Sequence, residues 1–343
     1  MSRPTRARGL KQVAETIFYE GFKHDADDTK LTRMLNNMTT KRSLTPREEI
    51  QAIRSKLKRL TFEATVKEWL DTGSPRLNTV LGSAVSGIPF GKIIEMFGEE
   101  SSGKTMLSLF LAGKAQSVDA DVAWIDLENS WDAEWVQNQG VDPEKVYLFQ
   151  LAMIRIPNKK TGKTKMRLQT AEECLEEAEE WMRRRYRLGR KMLMVVDSVA
   201  AILPDTEAKG GITEQTMHTN FALSRLMGHL LRRWVALAAS YGCTIIFINQ
   251  IRIKPGVVYG DPETTPGGRA LKFYSSIRVK VRRAGKGRGR ILQNGIVVGL
   301  KGIVTNIKNK AGGGSVEGAS TGFIMKFNSK TWKFLSAKEA KGD

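Results

Sequence analysis

Residues 92–116 read KIIEMFGEESSGKTMLSLFLAGKAQ, and this stretch decides the fold. An apolar run, KIIEMF, leads into the octet GEESSGKT, and apolar residues at helical spacing follow. The octet has the Gly-x-x-x-x-Gly-Lys-Thr spacing of a phosphate-binding loop, in the strand–loop–helix setting that such a loop requires. Gly98, Glu99, Glu100, Ser101, Ser102, Gly103, Lys104 and Thr105 are the expected nucleotide contacts. Backbone N–H groups would curl around phosphate oxygens, with the helix N-terminus adding a favourable dipole. Lys104 would neutralise the β- and γ-phosphates and Thr105 would hold Mg2+, so ATP and Mg2+ are the predicted cofactors.

Working outward, strands and helices alternate. DVAWID, KVYLFQLAMI, KMLMVVD and CTIIFINQ read as strands, with SWDAEWVQNQG, AEECLEEAEEWMRRRYRL and HTNFALSRLMGHLLRRWVALAASYG as helices between them. Apolar runs separated by helices predict an α/β fold with a mostly parallel sheet covered on both faces. Beyond Gln250, RALKFYSSIRVKVRR, NGIVVGLKGIVTNIKNK and STGFIMKFNSKTWKF alternate like antiparallel strands. Residues 157–168, PNKKTGKTKMRL, read as a basic inserted hairpin. Its Gly-Lys-Thr at 162–164 is a decoy, because Pro157 occupies the place of the first glycine.

Residues 1–65 are read as a basic helical region, with 14 Lys+Arg against seven acids over the first 60 positions. Thr45, Pro46 and Glu48 mark a helix start there. Residues 66–335 are read as the core and 336–343 as a short tail, and no separate C-terminal domain is expected. No membrane span is expected, because no apolar run reaches 18 residues. The N-terminus lacks the pattern of a secretory signal. Cys174 and Cys243 read as reduced structural thiols, as in a cytoplasmic protein.

Net charge is +19, which suits a polyanionic partner such as nucleic acid. The charge is concentrated: residues 252–310 hold 14 Lys+Arg against two acids, Asp261 and Glu263. The strand MLMVVD ends in Asp197, where a carboxylate reaches a Mg2+-bound water, and Ser198 follows. In WIDLEN, Asp126 and Glu128 are two apart on one face of a strand end, and Glu128 is the candidate general base for an attacking water. Trp135 suits adenine stacking and core packing equally, and Asp132 is grouped with it on the cofactor side. Gln250 ends a strand near the phosphates and opens a long Gly/Pro loop with Lys254 and Tyr259, suited to gripping a single nucleic-acid strand.

GEESSGKT, WIDLEN, VVDSVAAILP, IIFINQIR, PETTPGGRALKFY and IKNKA resemble the RecA-family recombinases of bacteria and bacteriophages, over roughly residues 65–310. The run from INQIR through PETT to ALKFY is far more specific than the phosphate loop. The resemblance implies a RecA-like P-loop core in which Glu128 is the catalytic glutamate and Gln250 the γ-phosphate sensor, acting with Lys104. It places Trp135 over the adenine. It implies a first DNA loop over 205–215, containing Lys209, Gly210 and Gly211, and a second over 252–269. The second contains Arg252, Lys254, Tyr259, Gly267, Gly268 and Arg269. Arg225, Arg232 and Arg233 would point toward DNA from a helix. Lys308 and Lys310 would reach a neighbouring subunit's ATP, and Phe273 would lie at the subunit contact.

The activity implied is ATP-dependent pairing of single-stranded DNA with homologous duplex DNA, followed by strand exchange in a helical filament. Single-strand-binding protein and loading factors would be further partners, in a bacterial cytoplasm or nucleoid. The short C-terminal side points toward a phage or mobile-element origin. A hexameric helicase and a noncatalytic paralogue use the same core and stand as alternatives.

Overall fold

The computed structural model describes residues 48, 66, 68–83, 87–157, 164–208, 221–253, 256, 260, 262–285, 289–311, 317–327 and 332–341. The chain divides into two compact units, 1–61 and 62–343, and the account below is of the second. Of the first unit only Glu48 is described, as an exposed helical residue, so the helix start expected at Thr45 lies outside the described residues.

The chain enters through β1 (Trp69–Leu70), α1 (Pro75–Leu81) and β2 (Ile88–Pro89). The pattern then alternates: β3 (Ile93–Gly98), α2 (Lys104–Ser117), β4 (Asp121–Asp126), α3 (Ala133–Asn138) and β5 (Val146–Gln150). A hairpin of β6 (Met153–Pro157) and β7 (Thr164–Leu168) precedes α4 (Ala171–Arg187) and β8 (Met192–Asp197). Next come α5 (Asp205–Ala208), α6 (Ala222–Tyr241), β9 (Cys243–Gln250), β10 (Arg252–Ile253), β11 (Glu263–Thr264) and α7 (Ala270–Tyr274). The last part is β12 (Ile277–Arg283), β13 (Arg290–Gln293), β14 (Ile296–Asn309), β15 (Ser320–Lys326), β16 (Trp332–Ser336) and α8 (Ala337–Lys341).

One sheet runs in the order β16-β15-β14-β12-β3-β9-β8-β4-β5, with β13 paired to β14. From β12 through β3, β9, β8 and β4 to β5 every pairing is parallel. Every residue of β3, β4 and β8 is buried, as a sheet covered on both faces requires. Alternate residues feed two cores: Ile94, Met96 and Trp124 pack with α2, while Ile93, Ile125 and Phe247 pack with α4 and α6. The antiparallel end, β14 to β16, matches the alternating texture of the sequence.

Three expectations need correction. KVYLFQLAMI is two strands: β5 stops at Gln150, and the chain leaves the sheet edge at Leu151–Ala152. Gln150 donates from Nε2 to Asp126 at 2.8 Å, and Ala152 exchanges hydrogen bonds with Gln169, so the neck is tied off before β6 begins. Second, RALKFY forms the helix α7, and β12 behind it lies parallel to β3 while pairing antiparallel with β14. Third, β4 ends at Asp126, so Glu128 sits in the following turn, where strand alternation does not apply. The hairpin read at 157–168 is present as β6–β7, with residues 158–163 outside the described set. Cys174 and Cys243 are buried and unpaired by disulfide, and burial pushes the Cys174 thiol up to about 12.

Candidate nucleotide site and adjoining loops

The parallel register brings four strand ends to one edge. Gly98 of β3 lies beside Gln250 of β9, and Asp126 of β4 beside Asp197 of β8. Gly98 must be glycine because a Cβ there would lie 2.0 Å from the Val281 carbonyl oxygen of β12. The loop turns through Ser101 and Gly103, both with positive φ, and no side chain caps α2. Its opening N–H groups thus face the loop with the dipole of a 14-residue helix behind them.

Lys104 is 8% exposed, and its Nζ donates to the Gly98 carbonyl at 3.1 Å and the Glu99 carbonyl at 2.7 Å. Burial lowers its pKa, while the negative charges of Asp197, Glu128 and Glu100 oppose the shift and Arg283 adds to it. The Thr105 hydroxyl donates to Asp197 Oδ2 at 3.0 Å. Asp197 is pushed up to about 7, first by burial and then by the Glu128 carboxylate. Glu128 accepts the Ser198 hydroxyl at 2.5 Å. Asp126 takes no part in that contact. It accepts from the Ser130 and Trp131 backbone N–H groups and from Gln150, clamping the turn that carries Glu128.

A cavity of about 710 Å³ opens from the phosphate loop. Residues 101–106 form one wall, and Trp135, Phe327, Val297 and Leu300 supply apolar surface. Asp132 is the N-cap of α3 and accepts from the Trp135 N–H at 3.0 Å, so it fixes the helix that presents the indole.

The residues expected at loops and interfaces are spread more widely. Arg252 is exposed at the foot of the second loop, where β10 pairs with β11. At the loop's return, Gly268 has φ +75° and a Cβ there would lie 2.8 Å from Ser224 Oγ of α6, so the chain closes against that helix. Gly267 sits next to it, and exposed Arg269 begins α7. Lys209, Gly210, Gly211, Lys254 and Tyr259 lie outside the described residues. On α6, Arg225 is exposed, and Arg232 bonds the Gly228 carbonyl of its own helix. Arg233 is drawn away to Glu179 of α4, at 2.6 Å. Lys308 donates to the carbonyls of Lys272 and Phe273, holding the end of α7, where Phe273 is 73% exposed. The Lys310 backbone N–H donates to the Ser276 carbonyl.

Sequence reasoning missed a buried chain beside this edge. Glu95, fully buried in β3, pairs with Arg278 of β12 at 2.5 Å and accepts from Asn249 at 3.2 Å. Asn249 also donates to the Pro266 carbonyl at 3.1 Å, joining the sheet to the second loop's return. The signal was one charged residue inside the apolar run KIIEMF.

Fold and loop together define a P-loop α/β protein. The chain belongs to the RecA family: the model of the RecA N-terminal domain matches residues 52–155 and 162–318. The Protein RecA of Staphylococcus aureus strain JH9 is 41% identical over 240 residues, which is 70% of this chain and 60% of that protein. The Protein RecA of Staphylococcus aureus strain Newman matches equally. The matched region thus spans about 60% of the length of these relatives. The six positions 156–161 separate the two matched segments and begin at the end of β6.

Proposed function

We propose that this chain is a DNA-dependent ATPase that assembles on single-stranded DNA and pairs it with homologous duplex DNA for strand exchange. The observation that carries the reading is the convergence of Lys104, Thr105, Asp197 and Glu128 on the edge where Gln250 lies beside the first loop glycine. Membership of the RecA family supports it. Lys104 leaves its loop carbonyls for the β- and γ-phosphates. Glu128, oriented by Ser198, takes the proton of the attacking water. Gln250 reads the γ-phosphate and shares β9 with Asn249, which bonds the second loop's return.

The Thr105 hydroxyl and Asp197 carboxylate are hard oxygen donors of the kind Mg2+ takes, so they fit that ion, which supplies charge neutralisation at the phosphates. Residues 66–335 act as the ATPase and DNA-binding core in this reading. Residues 1–65 serve subunit and DNA contact. Head-to-tail assembly through Phe273, Lys308 and Lys310 does not close and yields a filament in the bacterial cytoplasm.

The test is ATP turnover with and without single-stranded DNA, for wild type and Lys104→Ala, with particles imaged in the same samples. DNA-stimulated turnover with filaments, both lost in the variant, is the expected result. Turnover indifferent to DNA, or rings in place of filaments, would overturn the reading.

A further inference from the structure

Among the described residues that line it, the cavity beside the phosphate loop has three cations and no carboxylate: Lys104, Arg283 and Arg290. Only Lys104 belongs to the loop motif. The two arginines come from the far side, at the end of β12 and the start of β13. Its volume, about 710 Å³, lies in the range of pockets that enclose a single small molecule. Its walls combine bare helix N–H groups and Lys104 with the apolar side chains of Trp135, Val297, Leu300 and Phe327.

Arg283 stands against the phosphate loop. Its Nη2 donates to the Glu100 carbonyl within the phosphate loop at 2.9 Å. Its Nε is buried without a hydrogen-bond partner among the described residues, as is the loop's own Ser102 hydroxyl. A guanidinium nitrogen shut from water with nothing to bond is costly unless a ligand completes it. The electrostatic reach of Arg283 extends to Lys104, whose ammonium it disfavours, so both cations address the same space. Arg290 stands beside the apolar wall. It is exposed and paired in register with Leu300, one of the apolar residues of the wall.

We propose that Arg283 and Arg290 hold the nucleotide from the protomer's own sheet, Arg283 at the phosphates and Arg290 at the ribose and base. This rests on the nucleotide-site reading above and adds two contacts that the loop motif does not contain. The protomer thereby grips both ends of the nucleotide without a second copy of the chain. An anion with three phosphates gains most from Arg283, and any ligand with the same ribose and base gains equally from Arg290.

The test is fluorescence titration of the full chain without DNA, dilute enough to remain unassembled, with N-methylanthraniloyl-labelled ATP, ADP and AMP. Arg283→Gln is expected to weaken the triphosphate about tenfold or more while leaving the monophosphate unchanged. Arg283→Lys should recover part of that loss. Arg290→Gln should weaken all three by a similar factor. Unchanged affinities in both glutamine variants would overturn the assignment. So would an equal loss of all three ligands in Arg283→Gln accompanied by a lowered melting temperature, which would make Arg283 a clamp on the loop. Lost DNA affinity with intact nucleotide affinity would also overturn it, and would leave the recombinase reading standing. Wild type that binds the triphosphate with these variant effects, yet hydrolyses nothing on DNA, would sink that reading and keep this one.

Discussion

At the scale of single residues, Asp197 connects stability to pH. Its carboxyl is pushed up to about 7, above the ordinary value near 3.9, so the fold prefers it protonated. Stability from this group is full below about pH 4 and declines as pH climbs through 7. Asp197→Asn is expected to be more stable than wild type at pH 8, by up to about 4 kcal/mol, with the gap closing toward pH 4. Urea melts at several pH values read this directly, and a gap constant with pH would refute it. Glu95 offers a second case. Glu95→Gln leaves Arg278 inside the sheet without its counter-charge, at a cost of roughly 3–5 kcal/mol. Glu95→Leu combined with Arg278→Met should regain most of it, as measured in a double-mutant cycle. Sequence discloses such features unequally. The phosphate loop was legible because its chemistry is local, eight residues in a row. Glu95 and Arg278 are 183 positions apart, and Arg283 the same distance from Glu100, so no spacing rule joins them.

At the scale of elements, α4 was the most legible. Thr170 and Glu173 form a reciprocal cap, acids lead and arginines trail, as the dipole favours. Thr170→Ala should cost about 1 kcal/mol, seen as a shifted urea midpoint with unchanged slope. The break between β5 and β6 was not legible, because KVYLFQLAMI is largely apolar on both sides of Gln150 and periodicity cannot mark where a sheet edge is abandoned. The break is held by the bond from Gln150 to Asp126 and the bond from the Ala152 N–H to Gln169, each of which reaches a residue outside the stretch. Gln150→Leu should therefore leave the fold intact while loosening the Asp126 turn. The expected readout is a lower turnover number with little change in the ATP affinity, and a change in affinity alone would argue against this coupling.

At the scale of the whole molecule, charge governs. A chain with net charge +19 should bind single-stranded DNA with an affinity that falls linearly with salt on logarithmic axes. Arg225→Ala should reduce that slope by about 0.7 if Arg225 contacts one phosphate. Anisotropy titrations across a salt series decide it, and an unchanged slope removes Arg225 from the interface. Phe273, 73% exposed, bears on assembly instead. Phe273→Ala should shorten the particles seen on DNA while nucleotide affinity of the unassembled chain stays the same.

The sheet topology also sets a timetable for biosynthesis. β3 carries the phosphate loop and is buried along its whole length, yet its partners β9 and β12 begin roughly 150 and 180 residues later. At ribosomal speeds of about 5–20 residues per second, an apolar strand therefore waits unpaired for roughly 10 to 30 seconds. Among the described strands of the sheet, the one that leads into the phosphate loop waits longest for a partner, so its exposure during synthesis is set by strand order.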